Sequence, residues 1–195
     1  MKKKALICNG IIILLELIGF IGYGIRMHTL SLEYYTMDSN LIALLTSILF
    51  LLFHEKRKEL ISDIRFITTC CLTVTFLVVL FILLPMTNFN FYFLLLKDEA
   101  IIFHVLCPII SIISYTCFEE ASNKKYLGFL FTVFYACILI LLNLKDVISG
   151  PYPFLRVKEQ SILITLLWGF IIIGGSYAIG MGLNYLNKRQ KGAQR

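Results

Sequence analysis

The most regular feature of the chain is a series of long apolar runs separated by short polar connections. Six runs can be distinguished, at about 5–25, 38–53, 64–86, 100–118, 126–144 and 161–186. A helix needs roughly 17–25 apolar residues to cross about 30 Å of hydrocarbon, and most of the runs have that length. The second run is short in its apolar core, but residues 34–37 can extend it into the interface. The pattern predicts an all-α fold: one integral membrane domain over 1–195, a bundle of six transmembrane helices.

Composition supports this interpretation. Apolar residues make up 58% of the chain, charged residues 15%, and the mean hydropathy is +0.83. Soluble domains carry about 25% charged residues. The first run resembles a signal peptide, but Glu16 interrupts it and no small-residue cleavage site follows, so we expect a retained first helix.

The distribution of basic residues predicts the orientation of the helices. Of the 18 lysines and arginines, thirteen fall at the two termini and in the second and fourth connections, with Arg65 counted in the second. The other connections hold five. Because cytoplasmic loops are enriched in Lys and Arg, we expect both termini in the cytoplasm. The net charge of +6 is thus explained by topology, and we expect no nucleic-acid partner.

The six cysteines all lie in or at the edges of apolar runs, with no Cys-x-x-Cys and no Cys/His pair at metal-ligand spacing. We expect them to fill apolar space, and we expect neither a metal nor a cofactor. Small residues recur in the first and last runs: Gly19, Gly22, Gly24, Gly169, Gly174, Gly175, Gly182 and the pair Ser176 and Gly180. They predict close helix packing.

Glu16 lies near the middle of the first run. An ionised Asp, Lys or Arg at mid-helix costs about 2.5–3.5 kcal/mol on insertion scales, so an acidic group there is expected to face the bundle interior. Two interpretations remain open for Glu16: a structural role, and a role in binding or proton handling.

The stretch YYTMDSN, residues 34–40, places several polar groups directly before the second apolar run. One helix face carries small or polar residues: Thr36, Asn40, Ala43 and Ser47. Ser39 flanks this face. One interpretation is a helix N-cap, in which Thr36, Asp38 or Ser39 binds the first free amides. The other is the wall of a polar pocket, which also explains why the face extends to Ser47.

Two more features are expected at the same outer depth as Thr36. His104 lies a few residues into the fourth run, and a neutral imidazole can act as a general base. The loop GPYPFL, residues 150–155, contributes Tyr152 and Phe154, which suit a boundary between water and lipid. The aromatic segment 89–96 is too short to span, which indicates an interfacial or re-entrant segment.

Three motifs in this order resemble a known family. They are T-x-x-S-N (Thr36, Ser39, Asn40), H-x-x-x-P (His104, Pro108) and YPFL (152–155). The chain resembles the androgen-induced membrane hydrolases, which cleave fatty-acid esters of hydroxy fatty acids, and their bacterial six-span relatives. The resemblance implies Thr36 as nucleophile, His104 as base, membrane lipids and a fatty-acyl ester as partners, and a bacterial cell membrane as location.

The chemistry of such a site is coherent. A base activates the threonine hydroxyl, and Ser39 or Asn40 is a candidate donor to the oxyanion. No carboxylate that orients His104 is evident, unless Asp38, Asp98 or Glu99 reaches it. The segment 89–96 is a candidate gate for an acyl chain that enters from the outer leaflet.

Other functions remain open. The chain is alternatively a non-catalytic membrane protein that binds a lipid or small molecule, a transporter, or a structural membrane component. A transporter is expected to carry polar residues through its full depth and matched Gly/Pro interruptions. Here the polar residues concentrate near one face of the bundle, which counts against a transporter.

Overall fold

The computed structural model describes residues 2–29, 31, 33–148 and 152–192, so Gly150, Pro151 and Arg195 lie outside the described residues. Within these residues the chain is helical and has no strand. Six helices are long and apolar enough to cross a membrane: α1 (Lys2–Met27), α2 (Tyr35–Phe53), α3 (Lys58–Met86), α4 (Ile101–Phe118), α5 (Leu127–Leu144) and α6 (Ile162–Gly192). The predicted all-α fold and number of apolar helices are confirmed, whereas α3 begins at Lys58 rather than near residue 64 and α6 extends to Gly192 rather than near residue 186.

Helix α3 occupies the centre of the bundle. It packs against α2, α4, α5 and α6, while α1 packs against α2 and α4. Its buried face is rich in small and hydroxyl-bearing side chains, among them Cys70, Cys71 and Thr69. These side chains let four neighbours approach one helix. The cysteines at the centre fill apolar space as expected, but Cys137 is exposed, so that prediction is wrong for Cys137.

Glycines allow close approach at some predicted positions and not at others. A Cβ on Gly19 would lie 2.6 Å from the Phe103 ring, and one on Gly180 would lie 3.2 Å from the Lys125 carbonyl. Gly22 likewise makes room for Glu99. Packing was predicted for further glycines that have open space beside them: Gly24, Gly169, Gly174, Gly175 and Gly182. For these the prediction is wrong, because they face away from the neighbouring helices.

The buried centre of the bundle is also polar, so the expectation that polar residues concentrate near one face is wrong. Arg65 and Glu119 are fully buried and form a two-pronged ion pair, with Nε–Oε2 and Nη2–Oε1 distances of 3.0 and 3.1 Å. Serine and asparagine side chains from the other helices complete what we call the inner polar cluster: Asn9, Ser47, Ser111 and Ser114. The assignment of Arg65 to a connection is wrong, since it lies inside α3.

Two helices contain a widened turn just before a proline. Residues Val79–Leu83 of α3 precede Pro85, and Ile101–Leu106 of α4 precede Pro108. In both turns the hydrogen bonds join residues five apart. A proline has no N–H for the carbonyl four residues earlier, and its ring crowds that carbonyl, so the preceding turn loosens. The second widened turn contains His104.

The segment between α3 and α4, residues 87–100, forms two tight turns around a short helical turn, Tyr92–Leu96. The turns use left-handed backbone at Asn88, Phe89 and Asp98. Leu94 is buried, whereas the neighbouring aromatic side chains are exposed: Phe89, Phe91, Tyr92 and Phe93. We call residues 89–96 the aromatic segment. It does not cross the bundle, and it connects the end of α3 to the start of α4 at the same end of the bundle.

The ion pair yields a prediction on stability. Arg65→Met leaves the Glu119 carboxylate buried without its partner, and we expect the free energy of unfolding in detergent to fall by about 3–5 kcal/mol. Combining Arg65→Met with Glu119→Leu should recover most of this loss.

A matched control is the exposed pair Lys124 and Asp63, 2.7 Å apart. Lys124→Met should cost less than about 1 kcal/mol, because exposed pairs contribute little. An equal loss in both single variants would contradict the role given to the inner polar cluster.

Candidate functional site

A cavity of about 480 Å³ opens at the end of the bundle where α1, α2, α4 and the aromatic segment meet. We call it the outer cavity. Thr36, His104 and Tyr152 all line it, together with the apolar side chains of Met37, Leu83 and Phe103. The three features that the sequence placed at one depth therefore share one cavity.

Thr36 lies in the first turn of α2, which begins at Tyr35. The first amides of a helix have no partner within the helix. The Thr36 amide donates to the Tyr152 hydroxyl at 3.4 Å, and the Thr36 hydroxyl lies 3.5 Å from the same oxygen. The loop residue Tyr152 thus satisfies the helix start. The N-cap interpretation is wrong, since Tyr34 is the cap residue and no side-chain capping bond forms.

Asn40 joins the Thr36 backbone to the widened turn that carries His104. Its Nδ2 atom donates to the Thr36 carbonyl at 2.7 Å and to the Phe103 carbonyl at 3.2 Å. Both hydrogens of this amide are therefore used, and Asn40 is buried. One nitrogen holds the backbone of the candidate nucleophile beside the residue that precedes the candidate base. Asn40 is a positioning residue here, with no hydrogen left for an oxyanion.

The imidazole of His104 is oriented by a backbone carbonyl. Its Nδ1 lies 2.6 Å from the carbonyl oxygen of Leu94, in the aromatic segment. Because a carbonyl only accepts, Nδ1 carries the hydrogen, and in the neutral ring Nε2 is left as the acceptor. No bond to Nε2 occurs within the described residues. The carboxylate sought from the sequence is thus replaced by Leu94, and the tautomer is the one that a general base needs.

The rim of the outer cavity is charged. Arg26 donates to Glu99 at 2.6 Å and lies 3.7 Å from Asp98. Burial alone would raise the pKa of Glu99, but the hydrogen bond and charge of Arg26, together with a backbone hydrogen bond, outweigh burial and lower it. Lys97 lies over the Phe93 ring at 5.6 Å. Neither Asp98 nor Glu99 is hydrogen-bonded to His104, so these acids shape the rim and do not orient the base.

Asp38 and Ser39 point away from the outer cavity. Asp38 accepts a hydrogen bond from Tyr135 at 2.6 Å. Ser39 bonds to the Thr36 carbonyl at 3.1 Å and to the Thr75 hydroxyl at 2.9 Å. The single hydrogen of Ser39 is engaged by these partners. Ser39 supports the backbone of Thr36 and is a poor choice of oxyanion donor.

Ser47 and Glu16 also lie outside the cavity. Ser47 accepts a hydrogen bond from Arg65 at 3.3 Å and belongs to the inner polar cluster. Glu16 faces the interior, as predicted, and is fully buried. Its carboxyl oxygens accept no hydrogen bond from the described residues, and the thiol of Cys107 lies beside it. The interpretation of Ser47 as a wall of the same pocket is wrong.

Tyr152 lies between the outer cavity and a second, smaller one, which Phe154 also lines. The rings of Tyr152 and Phe154 stack at 5.1 Å, and both are buried rather than placed at a wet boundary. Burial raises the pKa of Tyr152, so its hydroxyl keeps its hydrogen at neutral pH. The second cavity, of about 50 Å³, lies between α2, α3, α5 and α6 and also touches Thr36. We call it the apolar slot.

Several residues of the site had not been identified from the sequence. Leu94 was seen only as part of an apolar segment, yet its carbonyl orients His104. Tyr135, which holds Asp38, is a polar group inside an apolar run and carried a usable signal. Leu94 carried none, because a backbone carbonyl is present at every position.

The arrangement brings together a hydroxyl, an imidazole with an available acceptor nitrogen, and a neutral phenol, around a cavity with a charged rim. It is suited to acid–base chemistry on a molecule with polar and apolar parts. No group of three metal-binding side chains occurs among the described residues. Comparisons with family models, with curated proteins and with solved structures found no match for this chain. The site and fold therefore define the class: a six-helix bundle suited to a membrane, with a polar cavity at one end.

The shared cavity can be tested by cross-linking. In the double variant Thr36→Cys/His104→Cys, the two thiols should be joined by the shortest bis-methanethiosulfonate reagent, because both side chains line one cavity. Mass spectrometry of the digested protein identifies the linked peptides.

A matched control is Thr46→Cys/His104→Cys. Thr46 lies further along α2 and bonds to Thr68 at 2.9 Å, outside the outer cavity. Cross-linking in the control but not in the first pair would contradict the described geometry.

Proposed function

We propose that the chain is an integral membrane protein with both termini in the cytoplasm. The distribution of side chains supports insertion: Arg65, Asn9 and Asn187 are fully buried, whereas Leu14, Phe134 and Phe170 are largely exposed. A chain that buries its polar groups and exposes its apolar ones is stable in lipid, where polar groups need internal partners. The predominance of basic residues at the end opposite the outer cavity supports the orientation.

We further propose that it hydrolyses fatty-acyl esters of membrane lipids, with Thr36 as nucleophile and His104 as base. The observation that carries this proposal is the bond pattern of Asn40, whose amide nitrogen binds the carbonyls of Thr36 and Phe103. It holds the two catalytic candidates at one cavity. The orientation of His104 by Leu94 and the resemblance of the three ordered motifs to membrane hydrolases add support.

The reaction would proceed through an acyl–threonine. His104 Nε2 takes the hydroxyl proton as the Thr36 oxygen attacks the ester carbonyl carbon. The tetrahedral intermediate collapses, the bond to the alcohol oxygen breaks, and His104 returns the proton to the departing alcohol. Water then attacks the acyl–threonine with His104 again as base, which releases the fatty acid and restores Thr36.

The oxyanion needs a donor, and Tyr152 fits this role best. Its hydroxyl oxygen accepts from the Thr36 amide, so its own hydrogen is available to a group bound in the cavity. The raised pKa of Tyr152 keeps that hydrogen in place. Ser39 and Asn40 use their hydrogens on backbone and hydroxyl partners.

A fluorophosphonate probe tests the nucleophile and the base. Purified wild type in detergent should be labelled, Thr36→Ala should not, and His104→Ala should react about 10²–10⁴-fold more slowly, the range for loss of a general base. Thr36→Ser should keep the label. In-gel fluorescence gives the rate.

Two control variants separate chemistry from folding. Thr46→Ala changes the same helix away from the cavity, and His54→Ala changes a histidine that lines a different cavity at the other end. Both should label like wild type. Label that survives Thr36→Ala would refute the nucleophile, and unlabelled wild type would favour the non-catalytic lipid-binding alternative.

Tyr152→Phe tests the oxyanion donor. With an ester substrate, kcat should fall about 10²–10³-fold while KM changes little, because the donor acts on charge that appears only in the transition state. Tyr34→Phe is the control, since Tyr34 also lines the cavity but makes no side-chain hydrogen bond to a described residue. A rise in KM alone in Tyr152→Phe would assign Tyr152 to binding.

A further inference from the structure

The apolar slot and the outer cavity meet at the same three residues. Thr36, Leu83 and Tyr152 line both spaces. The two spaces differ in polarity. On one side lie His104 and the charged rim. On the other lie aliphatic and aromatic side chains from three helices and the 153–155 turn: Val74, Val78, Ala136, Leu139, Phe154 and Ile172.

The hydroxyl groups around the slot do not make it polar. Tyr35 bonds to Thr132 at 3.4 Å, Thr132 donates to the Gly128 carbonyl at 3.0 Å, and Tyr135 donates to Asp38 at 2.6 Å. Thr75 is engaged by Ser39. Each of these groups is bonded to another part of the protein, so a ligand in the slot would meet a hydrocarbon-like wall. Such a wall favours an apolar chain over a polar group.

We infer that the apolar slot binds the hydrocarbon chain of the acyl group, with the ester carbon at Thr36 and the alcohol portion in the outer cavity. That the chain is an acyl chain rests on the proposed function. In an acyl–threonine the acyl group stays while the alcohol leaves and water arrives. The departure of the alcohol and the arrival of water both need the outer cavity, where His104 lies. The apolar slot is therefore the space that remains for the acyl chain.

The size of the slot determines how many carbons of the acyl chain it can hold. Its volume is about 50 Å³. At about 10–15 Å³ per water-sized group, the slot seats roughly four such groups. The first carbons of an unbranched acyl chain fit this space. Ala136 and Ile172 then determine which chain lengths are accepted, because both form walls of the slot and a larger side chain at either position narrows it. Both are only partly buried, so a larger side chain can be accommodated without unfolding the protein.

Trp168 provides a readout that does not depend on hydrolysis. It is the single tryptophan of the chain, and its ring lies 5.6 Å from Phe154, a wall residue of the slot. A bromine atom in the slot should quench its fluorescence. The probe is freshly dissolved 4-bromobutanoate, whose three methylene groups and bromine match the size of the slot, titrated into purified protein in a detergent without bromine.

We expect saturable quenching in wild type and in Thr36→Ala. Ala136→Leu and Ile172→Phe should raise the midpoint concentration about tenfold, the change expected when about two buried methylene groups are excluded. Their neighbours supply matched controls, since Cys137→Leu and Ile171→Phe alter exposed positions outside the slot and should leave the midpoint unchanged. Quenching that never saturates, or one midpoint for all variants, would overturn the inference.

A second measurement keeps this inference separate from the proposed function. For hydrolysis, Ala136→Leu should lower the ratio of kcat/KM on a hexanoyl ester to that on an acetyl ester by a similar factor. Saturable quenching that is shifted by Ala136→Leu, with no hydrolysis of any ester, would refute the enzyme and leave the slot assigned. Hydrolysis with an unchanged chain-length ratio would refute the slot and leave the enzyme.

Discussion

The buried pair of Arg65 and Glu119 is the interaction around which the bundle is organised. Two charges that are taken out of water are tolerated only with good geometry and further hydrogen bonds. Here those bonds come from Asn9 on α1, Ser47 on α2, and Ser111 and Ser114 on α4. Satisfying one ion pair therefore fixes the relative positions of four helices. The outer cavity depends on this arrangement, because α1, α2 and α4 also form its walls.

At the outer end of the bundle, backbone amide and carbonyl groups hold the side chains of the candidate site in place. A proline loosens the turn that carries His104, and the loosened turn presents the Phe103 carbonyl to Asn40. The Leu94 carbonyl sets the tautomer of the imidazole. Tyr152 satisfies the open start of α2. Of these groups, the Phe103 carbonyl is one that a regular helix would have paired internally. The Leu94 carbonyl and the Thr36 amide lie at helix ends, where backbone groups are free to bond elsewhere.

Much of this fold could be predicted from the sequence, because apolar runs of bilayer length leave few alternatives. The depth shared by Thr36, His104 and Tyr152 followed from helix order and short connections alone. The inner polar cluster could not be predicted, since a charge such as Arg65 at the edge of an apolar run looks the same whether it faces water or a buried partner. The roles of Ser39 and Asn40 were misjudged because side-chain amides and hydroxyls bond to nearby carbonyls as readily as to a ligand.

The bond between His104 and Leu94 links the candidate base to a surface element. Leu94 belongs to the aromatic segment, whose outward rings are exposed while Leu94 itself packs beside Val79 and Leu84. A compound wedged beneath those rings would pull the carbonyl away and free the imidazole to turn or to exchange its tautomer. If His104 acts as the proposed base, molecules that never enter the outer cavity and resemble no substrate would inhibit the protein.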